Sequence, residues 1–157
     1  MGTPNMSTTE TTKQRELLTF KLSDQEYALD IMTVREIRGW TRATPMPLAP
    51  SFMRGVINLR GTVLPIMDLA ERLGLPKCDH DDRSVIVVVQ NEGSTIGLLV
   101  NAVSDIVALD PKDMQNPPDS AVQNGRNVIE AITLLDNRMI RVLDLPYVIA
   151  LPESDAA

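Results

Sequence analysis

The side chains with the widest chemical repertoire are scarce in this sequence of 157 residues: one histidine, His80, and one cysteine, Cys78. A Ser-His-Asp triad has only His80 to call on, and a Cys-His dyad has only Cys78 beside it. Both lie in the run Lys77-Cys-Asp-His-Asp-Asp82, which reads as a solvated loop. Its spacing matches no standard zinc site, and metal hydrolases draw on several His or Cys ligands. The expectation is no catalytic site, no metal and no cofactor: a binding or scaffolding chain rather than an enzyme. A single cysteine also forbids an internal disulfide, as in a cytosolic protein.

Residues suited to binding are better represented. Arg60, in Ile57-Asn-Leu-Arg-Gly61, sits at a hairpin tip, either as a solvated turn residue or as a charge held out on a rigid turn for a partner. Gly55 and Gly61 both follow an arginine, and Gly61 reads as a turn glycine with positive φ. Val34 and Ile37 are either core residues or, on an edge strand, an apolar patch flanked by Arg35, Glu36 and Arg38. Met46 and Met53 fit an adaptable surface or plain core filling.

Apolar residues make up 43% and charged residues 23%, which rules out wholesale disorder. The net charge of -6 and only 3% aromatics leave no basic groove or stacking platform, so no nucleic-acid partner is expected. Apolar runs are short, as in Val85–Val89, against the roughly 20 residues a spanning helix needs, so no direct membrane insertion is expected. The N-terminus shows no signal-peptide pattern, and Met6 stands where a myristoylation motif wants Ser or Thr.

The elements that must position these residues are short strands with turn signals every 8–12 residues or so, as in small barrels or a sandwich. Leu17–Leu22 and Tyr27–Ile31 form a hairpin; Thr33–Trp40 is a strand or a short turn. Pro50 opens one helical turn through Arg54. Val56–Leu59 and Thr62–Met67 flank the turn Arg60-Gly61, and Asp68 caps a short helix, Leu69–Leu73. The second half repeats this: Val85–Val89 and Thr95–Val100, a turn capped by Asp110, Val128–Leu135 and Met139–Leu143 around Asp136-Asn137, and a last helix capped by Asp144. Residues 1–14 and 153–157 read as tails around one domain, 15–152. Within it a first barrel spans about 17–73, a linker about 74–83, and a second barrel about 84–150.

The two halves resemble each other. Tyr27–Ile37 lies over Ile96–Ile106, so that Val34 meets Val103, Glu36 meets Asp105 and Ile37 meets Ile106. Gly61–Leu69 lies over Asn137–Leu145, sharing the Asp-Leu pair that starts each helix. Halves of this size are marginal alone, so they are expected to share a core.

Several segments, taken in order, resemble one family. Phe20-Lys-Leu, Glu26-Tyr-Ala-Leu-Asp-Ile31 and Val34-Arg-Glu-Ile-Arg-Gly39 are similar to the opening of the CheW-like chemotaxis coupling family. Phe52-Met-Arg-Gly-Val-Ile-Asn-Leu-Arg-Gly-Thr-Val-Leu-Pro-Ile-Met-Asp-Leu69 resembles its most distinctive stretch. Gly97–Ile106, Asp136–Ile140 and Leu143-Asp144 follow in the family's order, over about residues 17–150. The resemblance implies an all-β fold: two five-stranded SH3-like barrels around a shared hydrophobic core.

It also implies a non-catalytic adaptor, joining chemoreceptor cytoplasmic tips to the regulatory domain of the histidine kinase CheA in cytoplasmic arrays, or serving another chemosensory-type pathway such as pilus-based motility. Receptor binding is then expected at Arg60, Asn58, Gly55 and Ile106, and kinase binding at Val34, Glu36, Ile37 and Ile31. The sequence departs from the family at Gln115 and Ser120, where a basic and an aromatic residue are common, on the surface of the second kinase contact.

Overall fold

A computed structural model describes residues 14–75, 83–117 and 128–150. The expectations placed on both tails, on the Cys78–Asp82 run and on Ser120 lie outside the described residues. Among the described residues there are ten strands: β1 (Arg15–Leu22), β2 (Gln25–Asp30), β3 (Val34–Gly39), β4 (Met53–Leu59), β5 (Thr62–Asp68), β6 (Val85–Asn91), β7 (Ser94–Val100), β8 (Ala102–Leu109), β9 (Ile129–Leu135) and β10 (Arg138–Leu143). Two short helices, α1 (Leu69–Arg72) and α2 (Leu145–Ile149), follow β5 and β10. Thr33–Trp40 resolves in favour of a strand. The helical turn expected from Pro50 to Arg54 does not form: a single reverse turn, Met53 N–H to Pro50 O at 2.9 Å, leads straight into β4. Strand pairing of Met53 with Met67 outcompetes the local preference of Pro50 for a first helical position.

The strands form two five-stranded sheets, ordered β8-β1-β2-β10-β9 and β3-β6-β7-β5-β4. This overturns the division into contiguous barrels at 17–73 and 84–150, because each sheet draws strands from both halves. The hairpin β1–β2 joins the sheet completed by β8, β9 and β10; the hairpin β6–β7 joins β3, β4 and β5. The physical reason lies in the third strand of each half. After β2 the chain makes one 3-10 turn, Ile31–Thr33, capped by Asp30, and β3 leaves to pair with β6. β8 leaves β7 across the single residue Asn101, without a 3-10 turn, to pair with β1.

The internal repeat is nonetheless real, and it extends to register. Val34 pairs with Val89 as Val103 pairs with Phe20; Ile37 pairs with Val87 as Ile106 pairs with Leu18. The parallel contacts correspond too: Ile66 opposite Gly97, and Val142 opposite Ala28. Each first-half position maps onto its second-half counterpart in the other sheet.

Successive side chains point to opposite faces, and the central strands carry unbroken buried runs such as Leu17–Phe20, Ile86–Val89 and Ile96–Val100, so each sheet buries both faces. One face of each lines its own interior: Leu17, Ala28, Ile140 and Val142 in the first sheet, and Leu64, Ile66, Ile86 and Leu99 in the second. The other faces meet in a larger common core that includes Leu18, Phe20, Leu29, Val87, Val89 and Leu98. Each fully buried Leu, Ile or Phe there contributes about 1.5–3 kcal/mol of burial. Both helices seal this core with Leu69, Leu145 and Val148. Their caps form as expected: Asp68 accepts from Glu71 N–H at 3.3 Å, and Asp144 from Tyr147 N–H at 3.2 Å.

Candidate interaction surface around Arg60

The hairpin β4–β5 turns through Arg60 and Gly61, with φ of 51° and 85°. Both residues are in the left-handed region, as a two-residue turn matching strand twist requires. Asn58 accepts from Gly61 N–H at 2.8 Å, so its side chain is committed to holding the turn. The turn projects Arg60 outward with its side chain 68% exposed. Its guanidinium crosses to β3, where Nη2 donates to Glu36 Oε1 at 2.6 Å. Arg38 donates to the other oxygen of Glu36 at 3.3 Å. The two arginines hold the Glu36 carboxyl below its usual pKa, with the Arg60 hydrogen bond as the main cause, and Glu36 raises that of Arg60. β3 and β4 are opposite edges of one sheet, so the pair draws the edges together. A shallow groove of about 500 Å³ lies here, lined by Arg35, Leu59, Arg60, Val63 and Gln90 among others.

The other sheet has a counterpart. Arg138, just beyond the β9–β10 turn, donates to Asp105 on β8 at 3.4 Å, and Asp105 is the repeat mate of Glu36. It also grips Glu26 with Nε at 3.0 Å and with Nη2, which holds the Glu26 carboxyl below its usual pKa.

The residues expected at the interfaces occupy different places. Glu36 pairs with Val88, which faces the interior of its sheet, and lies in the groove with Arg60. Val34 and Ile37 pair with Val89 and Val87, which face the common core, and so point to the opposite side. Val34 and Ile31 are partly buried against that core. Ile37 is 44% exposed. Ile106 is 56% exposed on β8, an edge strand of the other sheet, and so is not on the turn with Arg60 and Asn58.

Gly55 is buried, with φ of 135°, and an added Cβ would stand 2.0 Å from Thr44 O. The segment there makes a two-bond bridge, Thr44 N–H to Val56 O at 2.8 Å and Val56 N–H to Thr44 O at 2.9 Å. Gly55 thus offers a partner no side chain; it sets where the 44–45 segment runs. Gly55→Ala should destabilise by about 2–4 kcal/mol, through backbone strain and loss of this bridge. Thermal denaturation checks this; a melting temperature equal to wild type would contradict the close approach.

Some residues of the surface escaped the sequence reading. Val63, next to the turn, is 67% exposed, and its repeat mate Met139 is exposed too. Strand alternation beside buried Leu64 carried that signal. Arg54 donates to Asp68 Oδ2 with Nε at 3.2 Å and Nη2 at 2.8 Å, bracing the start of β4. Arg72 on α1 caps the end of α2, donating to the carbonyls of Val148, Tyr147 and Ala150 at 2.8, 3.0 and 3.3 Å. It also stacks over Phe52 and Tyr147. No spacing rule links residues this far apart in sequence. Among the described residues no group of His, Cys, Asp and Glu could hold a metal ion. No helix among them is long and apolar enough to cross a membrane.

Comparison with known proteins converges on one family. The CheW-like domain matches residues 16–153. The chemotaxis protein CheW of Rhizobium meliloti is 47% identical over 91% of this chain and 92% of its own length. That of Klebsiella aerogenes is 31% identical over 88% of this chain and 84% of its own. The scaffolding protein TtCheW of Thermoanaerobacter tengcongensis superposes with a TM-score of 0.80 at 31% identity, covering 88% of this chain and 94% of that one. The double sheet and these relatives agree: the chain belongs to the CheW-like family and is a chemotaxis adaptor.

Proposed function

We propose that this adaptor links chemoreceptor cytoplasmic tips to the regulatory domain of the histidine kinase CheA in arrays on the inner face of the cytoplasmic membrane, without catalysis of its own. The observation that carries this reading is the outward arginine on a rigid turn, set apart from a separate apolar edge. One face offers a planar, charged fork for carboxylates or helix-end carbonyls. The other offers the exposed apolar side chain of Ile37 on an edge strand, suited to a second protein. Receptor contact is assigned to Arg60, braced by Asn58 and Gly55, with Ile106 on the other sheet; kinase contact is assigned to Ile37, with Val34 and Ile31 beside it, while Glu36, on the same strand but facing Arg60, joins the two faces.

Three-component binding tests the reading: the chain should carry receptor fragment and kinase regulatory domain in one complex. Ile37→Glu should weaken kinase binding about tenfold or more and leave the fold intact, because the side chain is already half in water. Val34→Asp is the poorer probe: Val34 packs against the common core, and a charge there unfolds the protein before it reports on binding. Calorimetry showing normal kinase affinity for a folded Ile37→Glu would refute the kinase assignment.

A relative of 26% identity, FrzA of Myxococcus xanthus, matches 75% of the chain.

A further inference from the structure

We propose that the cleft between β5, the β6–β7 turn and α2 is a third docking surface of this adaptor, one that takes a partner segment presenting a tyrosine ring with a basic side chain beside it. The cleft measures about 490 Å³. Its apolar lining includes Met53, Pro65, Ile96 and Ile149, and the β6–β7 hairpin adds Glu92 and Ser94. It shares Thr95 with the Arg60 groove and takes no residue from β3, so it rests on neither the receptor nor the kinase assignment.

The other half of the chain specifies the occupant. In the repeat, Ile96 corresponds to Tyr27, Pro65 to Arg141 and Ser94 to Gln25. The backbones match: Arg141 lies opposite Tyr27 in the parallel pair β10–β2, and β5 pairs with β7 in the same register, Ile66 opposite Gly97. The side chains differ. Tyr27 is buried, its hydroxyl donates to Gln25 Oε1 at 2.9 Å, and the Arg141 guanidinium covers its ring at 5.5 Å from the centroid. At these three positions the second sheet carries isoleucine, proline and serine. Each is smaller than its mate, so the space that a ring, its cationic cover and its hydroxyl partner fill in one sheet stays open in the other. Ser94 stands where Gln25 meets the tyrosine hydroxyl. Glu92 is the one charged residue lining the cleft among those described, so the cover it attracts is a cation. Residues 151–157 of this chain suit the cleft poorly: they hold Glu153 and Asp155, and no aromatic or basic residue.

The test titrates the full chain with the blocked tripeptide Tyr-Ser-Arg, whose first and third side chains share one face when extended, and follows methyl signals by NMR. Those of Ile96 and Ile149 should move and saturate while those of Ile37 and Val63 stay in place. The peptide Tyr-Ser-Glu should bind about fivefold more weakly, and Glu92→Lys should remove that preference. Pro65→Arg combined with Ile96→Tyr builds the first sheet's own filling into the second, at a register where β10 already accepts an arginine. That double variant should fold and bind Tyr-Ser-Arg at least about tenfold more weakly. Wild-type affinity in the folded double variant, or no saturable shift at Ile96, overturns the proposal. If the double variant does not fold, Glu92→Lys decides, because Glu92 is an exposed turn residue that the fold does not need. An unchanged preference between the two peptides then overturns the proposal. Binding that emerges only when residues 151–157 are removed assigns the cleft to the chain's own end and overturns it as well.

Discussion

Cut between residues 76 and 77, the chain should give two fragments that do not fold alone and that rebuild the native protein when mixed. Among the described residues, four of the eight strand pairings join the first half to the second: β1 with β8, β2 with β10, β3 with β6 and β5 with β7. Separation leaves each fragment with two hairpins and a lone strand, and an isolated hairpin is marginal in water. It also splits the common core, which takes Leu18, Phe20 and Leu29 from one side of the cut and Val87, Val89 and Leu98 from the other. Circular dichroism and thermal melts of 1–76 and 77–157 should show no cooperative transition from either fragment as a monomer. The equimolar mixture should recover one, with a concentration-dependent midpoint because folding is now bimolecular. A cooperative melt from a monomeric half would mean that the exchanged hairpins are dispensable.

The same exchange marks the limit of what could be read from the residues. Hairpins, two-residue turns and helix caps were legible because each depends on neighbours in sequence: Leu22 pairs with Gln25 across its turn, and Asp68 caps its own helix. The repeat was legible because its registers survive in both halves. Which sheet each third strand joins was not, since β3 carries the same alternating pattern whether it pairs with β2 or β6; only the 3-10 turn at Ile31–Thr33 sends it away. Within the site, Arg60 could be placed on its turn from Leu59 and Gly61. Its bond to Glu36 spans 24 positions and depends on the sheet edges curling together. The Val34 and Ile37 pair divided for a similar reason: both face one way, but only the course of β3 decides which of them the common core covers.

Arg60→Ala should keep the melting temperature, keep kinase binding and lose receptor binding about tenfold or more. The fold has little stake in this side chain. Its hydrogen bond to Glu36 is on the surface, where ion pairs contribute little, and Arg38 remains to hold the carboxylate. The turn itself is kept by Gly61 and by Asn58, neither of which needs the guanidinium. Alanine retains the positive φ with about the same difficulty as arginine, so the hairpin is not relieved or strained further. Binding is different. A helical receptor tip presents carboxylates or terminal carbonyls beside apolar residues, and here Arg60 stands next to exposed Val63 on the groove wall. A fork that leaves Glu36 for such a group is desolvated in the contact, and truncating a buried, hydrogen-bonded charge acts mainly on the off-rate. Arg60→Lys should recover only part of the loss, because a point charge cannot make both parallel bonds. Surface-immobilised receptor fragment would read these off-rates directly. A folded Arg60→Ala that dissociates at the wild-type rate would remove the arginine from the receptor contact and leave its bond to Glu36 as its whole role.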